Sequence, residues 1–218
     1  MNIRDKYRPR SLDDLVFPTE AVSKEINYYA QIGTGANPGN LLLHGPIGTA
    51  KSTLISLLAH HLLGDSYDFN ASVLGGTGVN TAAQVKQAIE RTAALVPVDH
   101  IYRIILIDEL CAMLPAGQRE LRSLIDLHQQ HCLFLLTAND IEAIDLGVIS
   151  RCRTVLFGYA PPERWLPRAR NIVASEKVTI ADETLLVAIE GAAGDVRRIL
   201  QNIRDLVNIR RMKRSDPK

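Results

Sequence analysis

Four short stretches of the chain are almost continuously apolar: Leu41-Leu42-Leu43-His44, Arg103-Ile104-Ile105-Leu106-Ile107, Cys132-Leu133-Phe134-Leu135-Leu136-Thr137 and Thr154-Val155-Leu156-Phe157. They do not alternate, and stretches of helical periodicity separate them. That pattern predicts buried strands in a parallel sheet covered by helices on both faces. Helices are expected over about 20–32, closed by Gly33-Thr34-Gly35 and Pro38-Gly39, over 51–63, and from a cap at Asn80 or Thr81 through Arg91. Residues 1–18 are polar, carry Pro9 and Pro18, and read as an extended arm. Beyond Tyr159-Ala160-Pro161-Pro162 the pattern turns wholly helical, over about 162–176, 182–190 and 195–212. The expected architecture is therefore an α/β core over residues 1–160 followed by a small all-helical lid over 161–218 that ends in a basic tail.

Sheets of this kind bind ligands beyond the carboxyl ends of their strands, and each apolar run ends in polar residues. After the first comes Gly45-Pro46-Ile47-Gly48-Thr49-Ala50-Lys51-Ser52, which nearly matches the phosphate-loop pattern G-x-x-x-x-G-K-[ST] in the required place between a strand and a helix. The backbone amides of such a loop, here Gly45, Gly48, Thr49 and Ala50, point at phosphate, and the helix opened by Ser52 and Thr53 adds positive potential. Lys51 is expected to reach the β- and γ-phosphates of ATP and Ser52 to hold Mg²⁺. Ala50 stands where the pattern has glycine, which is tolerable only at negative φ. The second run ends in Asp108-Glu109, with Asp108 expected on Mg²⁺ and Glu109 as the group that polarises the attacking water. Asn139, after the third run, is placed to orient that water. Arg151, in Ser150-Arg151-Cys152, reads by itself as a solvated side chain, whereas in a closed assembly it would reach a neighbour's γ-phosphate. In Gly194-Asp195-Val196-Arg197-Arg198, Arg197 is expected to touch the phosphates of its own subunit and Arg198 to face solvent.

Lys6-Tyr7-Arg8-Pro9-Arg10-Ser11-Leu12-Asp13-Asp14-Leu15 resembles the N-terminal signature of AAA+ clamp-loader subunits, of the replication factor C small-subunit and phage types. Asp68-Phe69-Asn70-Ala71-Ser72 is similar to the segment that leads those proteins into a DNA-facing helix, and Gly117-Gln118-Arg119-Glu120-Leu121-Arg122-Ser123 to the helix after their acid pair. Ser150-Arg151-Cys152 and Gly194-Asp195-Val196-Arg197 follow in the family's order, so the resemblance spans about residues 4–207. It implies an AAA+ core with a three-helix lid, ATP-dependent assembly into a ring or spiral, and loading of a sliding clamp onto primer–template DNA. It also implies that Arg151 is an arginine finger and that Tyr7, Arg8 and Pro9 lie near the adenine. The family continues into a helical collar, which residues 209–218 are not expected to supply; either the collar was cut away or assembly runs through the AAA+ modules alone.

Composition narrows the partners. The net charge is +1, so no global basic field announces nucleic acid, and an aromatic share of 5% argues against base stacking as the main grip. A local contact is offered by Gly75-Gly76-Thr77-Gly78 and the helix start after it. There Gly78, Asn80, Thr81 and Lys86 would track a DNA backbone without reading sequence; the plainer alternative is an ordinary glycine loop and surface helix. A second function class is a regulatory DNA-filament ATPase, such as a mobile-element targeting factor, that binds DNA and a partner protein without loading a clamp. Cys111, Cys132 and Cys152 fit no zinc spacing and suit a reducing compartment. With the polar start Met1–Lys6 and no apolar run of about 18 residues, a cytoplasmic protein away from membranes is expected.

Overall fold

Residues 6–215 are described in the computed structural model; the polar start Met1–Asp5 and the last residues of the expected tail, 216–218, lie outside them. The strands are Leu41–His44 (β1), Ala71–Gly75 (β2), Arg103–Asp108 (β3), Cys132–Ala138 (β4) and Arg153–Leu156 (β5). All neighbouring pairs are parallel, in the order β2-β3-β4-β1-β5. The helices are Glu20–Gly33 (α1), Lys51–Leu63 (α2), the single turn Tyr67–Asn70 (α3), Ala82–Ala93 (α4), Pro115–His128 (α5), the turn Leu146–Ile149 (α6), Pro162–Ser175 (α7), Asp182–Glu190 (α8) and Val196–Ser215 (α9).

The continuous apolar runs serve two cores at once, because successive side chains on a strand face opposite ways. Leu41, Leu43, Ile104, Leu106, Leu133 and Leu135 pack with Ile26, Leu54 and Leu58 on one face of the sheet. Leu42, Ile105, Ile107, Phe134 and Leu136 pack with Val85, Ile89, Leu121 and Ile125 on the other. The three C-terminal helices close around their own cluster, in which Trp165, Ile172, Leu185, Ile189, Ile199 and Ile203 are buried. The register sets His44 opposite Ala138 and Ile107 opposite Leu136. The carboxyl ends of β1, β3 and β4 therefore finish side by side, with β4 in the middle.

Three readings change. Ala71–Gly75, given no element from the sequence, is the edge strand β2, paired with β3 from Ala71 opposite Ile104 to Gly75 opposite Asp108. The arm is not extended throughout: Leu12–Asp14 form a 3-10 turn, where the Asp14 carboxylate accepts the Arg10 and Ser11 amides at 2.9 and 3.3 Å. The basic tail is helical through Ser215, as the continuation of α9.

Candidate nucleotide site

The loop between β1 and α2 wraps around its own lysine. Lys51 is 6% exposed, and its Nζ donates to the carbonyls of Gly45 and Pro46 at 2.8 and 2.7 Å. Burial pushes its pKa below the ordinary lysine value, while Asp108, Cys111 and Glu109 pull the other way. Burial first, and then the positive charge of Lys51, lower the pKa of His44 at the end of β1. Gly48, at φ +86, has no room for a Cβ, which would sit 2.7 Å from the Asp195 carboxylate. The close approach arises because the last helix docks on the loop: the Val196 amide donates to the Gly48 carbonyl at 2.9 Å. Asp195 caps that helix, accepting the Arg197 and Arg198 amides at 2.8 and 3.1 Å.

Ala50 overturns one expectation. Its φ is +75 and ψ is 26, the left-handed region, not the negative φ that would make the methyl group harmless. The conformation is imposed by the loop, since Ala50 is the last residue before α2 and its carbonyl accepts the Leu54 amide at 2.9 Å. A non-glycine residue there costs about 1–2 kcal/mol, more than the roughly 0.4–1 kcal/mol of unfolded-chain entropy that glycine restores. Ala50→Gly is therefore expected to raise the melting temperature by about 1–3 °C. A thermal melt of the two proteins checks this, and a lower melting temperature in the variant would contradict it.

Asp108 ends β3 between two hydroxyls. Ser52 Oγ donates to its Oδ1 at 2.7 Å and Thr137 Oγ1 to the same atom at 2.5 Å. Thr137 also accepts the Glu109 amide at 3.0 Å, fixing the backbone of Glu109, which has φ +56. A Cβ on Gly76 would collide with the Glu109 carbonyl, so the loop after β2 lies directly against the acid pair. The paired oxygens of Ser52 and Asp108 are a hard-cation donor set of the kind that holds magnesium with phosphate oxygens and water as remaining ligands. Among the described residues no group of three or more His, Cys, Asp or Glu side chains could hold a metal by itself.

These elements surround one cavity of about 380 Å³. Its lining takes in Gly48, Ala50, Lys51, Ser52 and Thr53 from the loop, Asp108, Glu109 and Asn139 from the strand ends, Arg8 and Pro9 from the arm, and Arg197 from the last helix. Sequence reading missed Thr137, whose place at the sixth position of a buried run looked like strand interior. It also missed the apolar wall of Ile47, Val196 and Leu200. Gly45 and Thr49 belong to the loop but not to the cavity lining: Gly45 holds Lys51 through its carbonyl, and Thr49 is buried with its hydroxyl on the Pro46 carbonyl at 3.0 Å.

Tyr7 is not at the cavity: its hydroxyl meets Ser175 Oγ at 2.7 Å and the Glu176 carboxylate. Arg151 is also outside it, gripped by Asp126 through two bonds of 2.6 Å and donating to the Gly147 carbonyl at 2.8 Å. The four DNA candidates lie apart from the cavity as well. Gly78, Thr81 and Lys86 are exposed, and Lys86 Nζ stands 3.9 Å from the Glu90 carboxylate. The Asn80 and Thr81 amides both point at Gln84 Oε1, at 3.4 and 3.2 Å, so these helix-start donors are engaged within the chain.

A parallel sheet with a phosphate loop after one central strand and an acid pair ending another defines a P-loop nucleotide-binding protein. Residues 41–159 match the model of the ATPase family associated with various cellular activities (AAA), and the chain belongs to that family. It is 34% identical over 204 residues to replication factor C subunit 2 of Arabidopsis thaliana, covering 91% of this chain and 59% of that protein. It is 29% identical over 197 residues to replication factor C small subunit 1 of Pyrobaculum arsenaticum, covering 90% and 59%. The chain thus spans about 60% of the length of the curated relatives it matches. The fold is shared with the RuvB Holliday junction branch migration motor of Thermotoga maritima, at TM-score 0.73 and 19% identity, covering 93% of this chain and 67% of that one. No helix among the described residues is long and apolar enough to cross a membrane.

Proposed function

We propose that the chain is an ATP-hydrolysing subunit of a clamp-loader-like assembly that works on DNA. The observation that carries this reading is the meeting of Lys51, Ser52, Asp108, Glu109 and Asn139 in one cavity, in a chain similar along most of its length to replication factor C subunits.

Residues 1–160 act as the nucleotide-binding core and 161–218 as its lid. Lys51 exchanges its two loop carbonyls for phosphate oxygens, and Ser52 and Asp108 hold the magnesium that accompanies ATP. Magnesium bound there supplies charge neutralisation for the transferred phosphoryl group. Glu109 accepts the proton of the attacking water, and Asn139 orients that water. Arg197, at the start of the helix that touches Gly48, senses the phosphates of its own subunit. Arg151 serves the neighbouring subunit's site, consistent with its distance from the cavity of its own chain.

DNA is held by several subunits together, each through Gly78, Asn80, Thr81 and Lys86 at the helix start, with the Asn80 and Thr81 amides exchanging Gln84 for phosphate oxygens. One subunit offers one to three phosphate contacts by this reading, and avidity along a spiral multiplies them. Each neutralised phosphate adds about −0.9 to the slope of log affinity against log salt, so an assembly with about six contacts should show a slope near −5, and Lys86→Ala should flatten it. The test is a salt titration on two unrelated duplexes, with and without a non-hydrolysable ATP analogue, alongside imaging of the same samples. Closed or spiral rings that need nucleotide and ignore sequence support the proposal. Long filaments on DNA would favour a DNA-filament ATPase, and strong preference for one duplex would count against both.

A further inference from the structure

Glu176, which follows α7, is 6% exposed at its side chain and lies outside the cavity lining. Its Oε1 accepts Lys6 Nζ at 2.6 Å and the Tyr7 hydroxyl, and its Oε2 accepts the Arg211 guanidinium at 2.5 Å. Nearby, Arg168 on α7 binds the Asp14 carboxylate and donates to the Tyr7 carbonyl at 3.5 Å. The side-chain anchors of Lys6 and Tyr7 thus end on the C-terminal helical unit. Farther along the arm, Leu12 and Leu15 pack against the core of the sheet instead. Arg8 and Pro9 lie between these attachments and face the cavity.

A buried carboxylate is costly unless compensated, and this one has two cations and a hydroxyl, from the N-terminal arm and the last helix. Its pKa is held below the ordinary glutamate value, first by the Lys6 contact and then by Tyr7. Lys51, Ser52 and Asp108 take the phosphate end of the cavity, which leaves Pro9, Val196 and Leu200 as the apolar end suited to a base.

We infer that Glu176 is a positioning residue for the nucleotide: by clasping Lys6 and Tyr7 to the end of α7 it sets Arg8 and Pro9 as a wall at the base end of the cavity, facing Val196 and Leu200. The inference rests on reading the cavity as a nucleotide site. Without the clasp the arm must be ordered when nucleotide binds, and affinity drops by that cost. The fold itself tolerates the loss, because Lys6 and Arg211 are 42% and 52% exposed at their side chains and return to water.

The experiment is calorimetric titration of the full chain, with magnesium, by ATP, ADP and inorganic tripolyphosphate. Glu176→Ala is expected to weaken ATP and ADP by about tenfold and to leave tripolyphosphate, which fills only the phosphate end, unchanged. Tyr7→Phe should lose less, again for ATP and ADP but not for tripolyphosphate, and should add little to Glu176→Ala because both act through one clasp. Equal affinity for ATP in Glu176→Ala, or equal loss for ATP and tripolyphosphate, overturns the clasp alone. If Glu176→Ala does not fold, a folded Tyr7→Phe with undiminished ATP affinity overturns it in the same way. A wild-type chain that binds tripolyphosphate but gains nothing from the nucleoside would instead bring down the nucleotide reading, and the clasp with it.

Discussion

Glu109→Gln is expected to leave ATP binding intact while turnover falls by about 10²–10⁴-fold. The backbone of Glu109 is fixed independently of its carboxylate: its amide is held by Thr137 Oγ1, its carbonyl accepts the Ala112 amide at 2.8 Å, and Gly76 closes against it. Glutamine keeps the size and the left-handed backbone cost of the residue it replaces, and removes only the ability to take a proton. Phosphate release under saturating ATP, compared with calorimetric affinity for ATP, separates the two effects. Weak binding in the variant would show that the side chain supports the cavity's shape and would leave the general base unassigned.

Arg151→Ala is expected to lower turnover of the assembly by about 10³-fold or more, the range for a residue that stabilises transition-state charge from a neighbour. ATP affinity of the isolated subunit should not change, since Arg151 touches Asp126 and Gly147 and not its own cavity. The ion pair raises the already high pKa of Arg151 and lowers that of Asp126, so the guanidinium stays charged and directed near the subunit surface. Mixing Arg151→Ala with Lys51→Ala subunits should restore part of the activity, because some composite sites then receive an intact loop and an intact finger. Assemblies shown to be mixed, yet with no recovery, would place the role of Arg151 within its own subunit, in holding α5 to α6.

The chain states its fold class openly and its site only in part. β1, β3 and β4 are legible because burial on both faces demands uninterrupted apolar runs. β2 is not, because an edge strand reading Ala-Ser-Val-Leu-Gly is short, partly exposed and ends in glycine, so it looks like a loop. Lys51 and Asp108 announce themselves through motif and position. Thr137 does not, because only the sheet order β3-β4-β1 reveals that the end of β4 lies between them. The left-handed Ala50 escapes a rule that assigns such positions to glycine, since the loop imposes the backbone and the side chain tolerates it at a cost. Tyr7 and Arg151 illustrate a different limit. Both have partners inside the chain, Glu176 and Asp126, that are 169 and 25 residues away in sequence and carry no local signal.

The central claim is that Lys51 holds the phosphates of a nucleotide in the cavity at the strand ends. Titration of Mg·ATP into the wild-type chain and into Lys51→Ala measures it directly. Loss of a charge-assisted contact worth roughly 1.5–3 kcal/mol should weaken binding more than tenfold, with the variant's fold checked by its circular dichroism. Equal affinity in the two proteins would contradict the account, because no other residue of the loop offers the phosphates a charge.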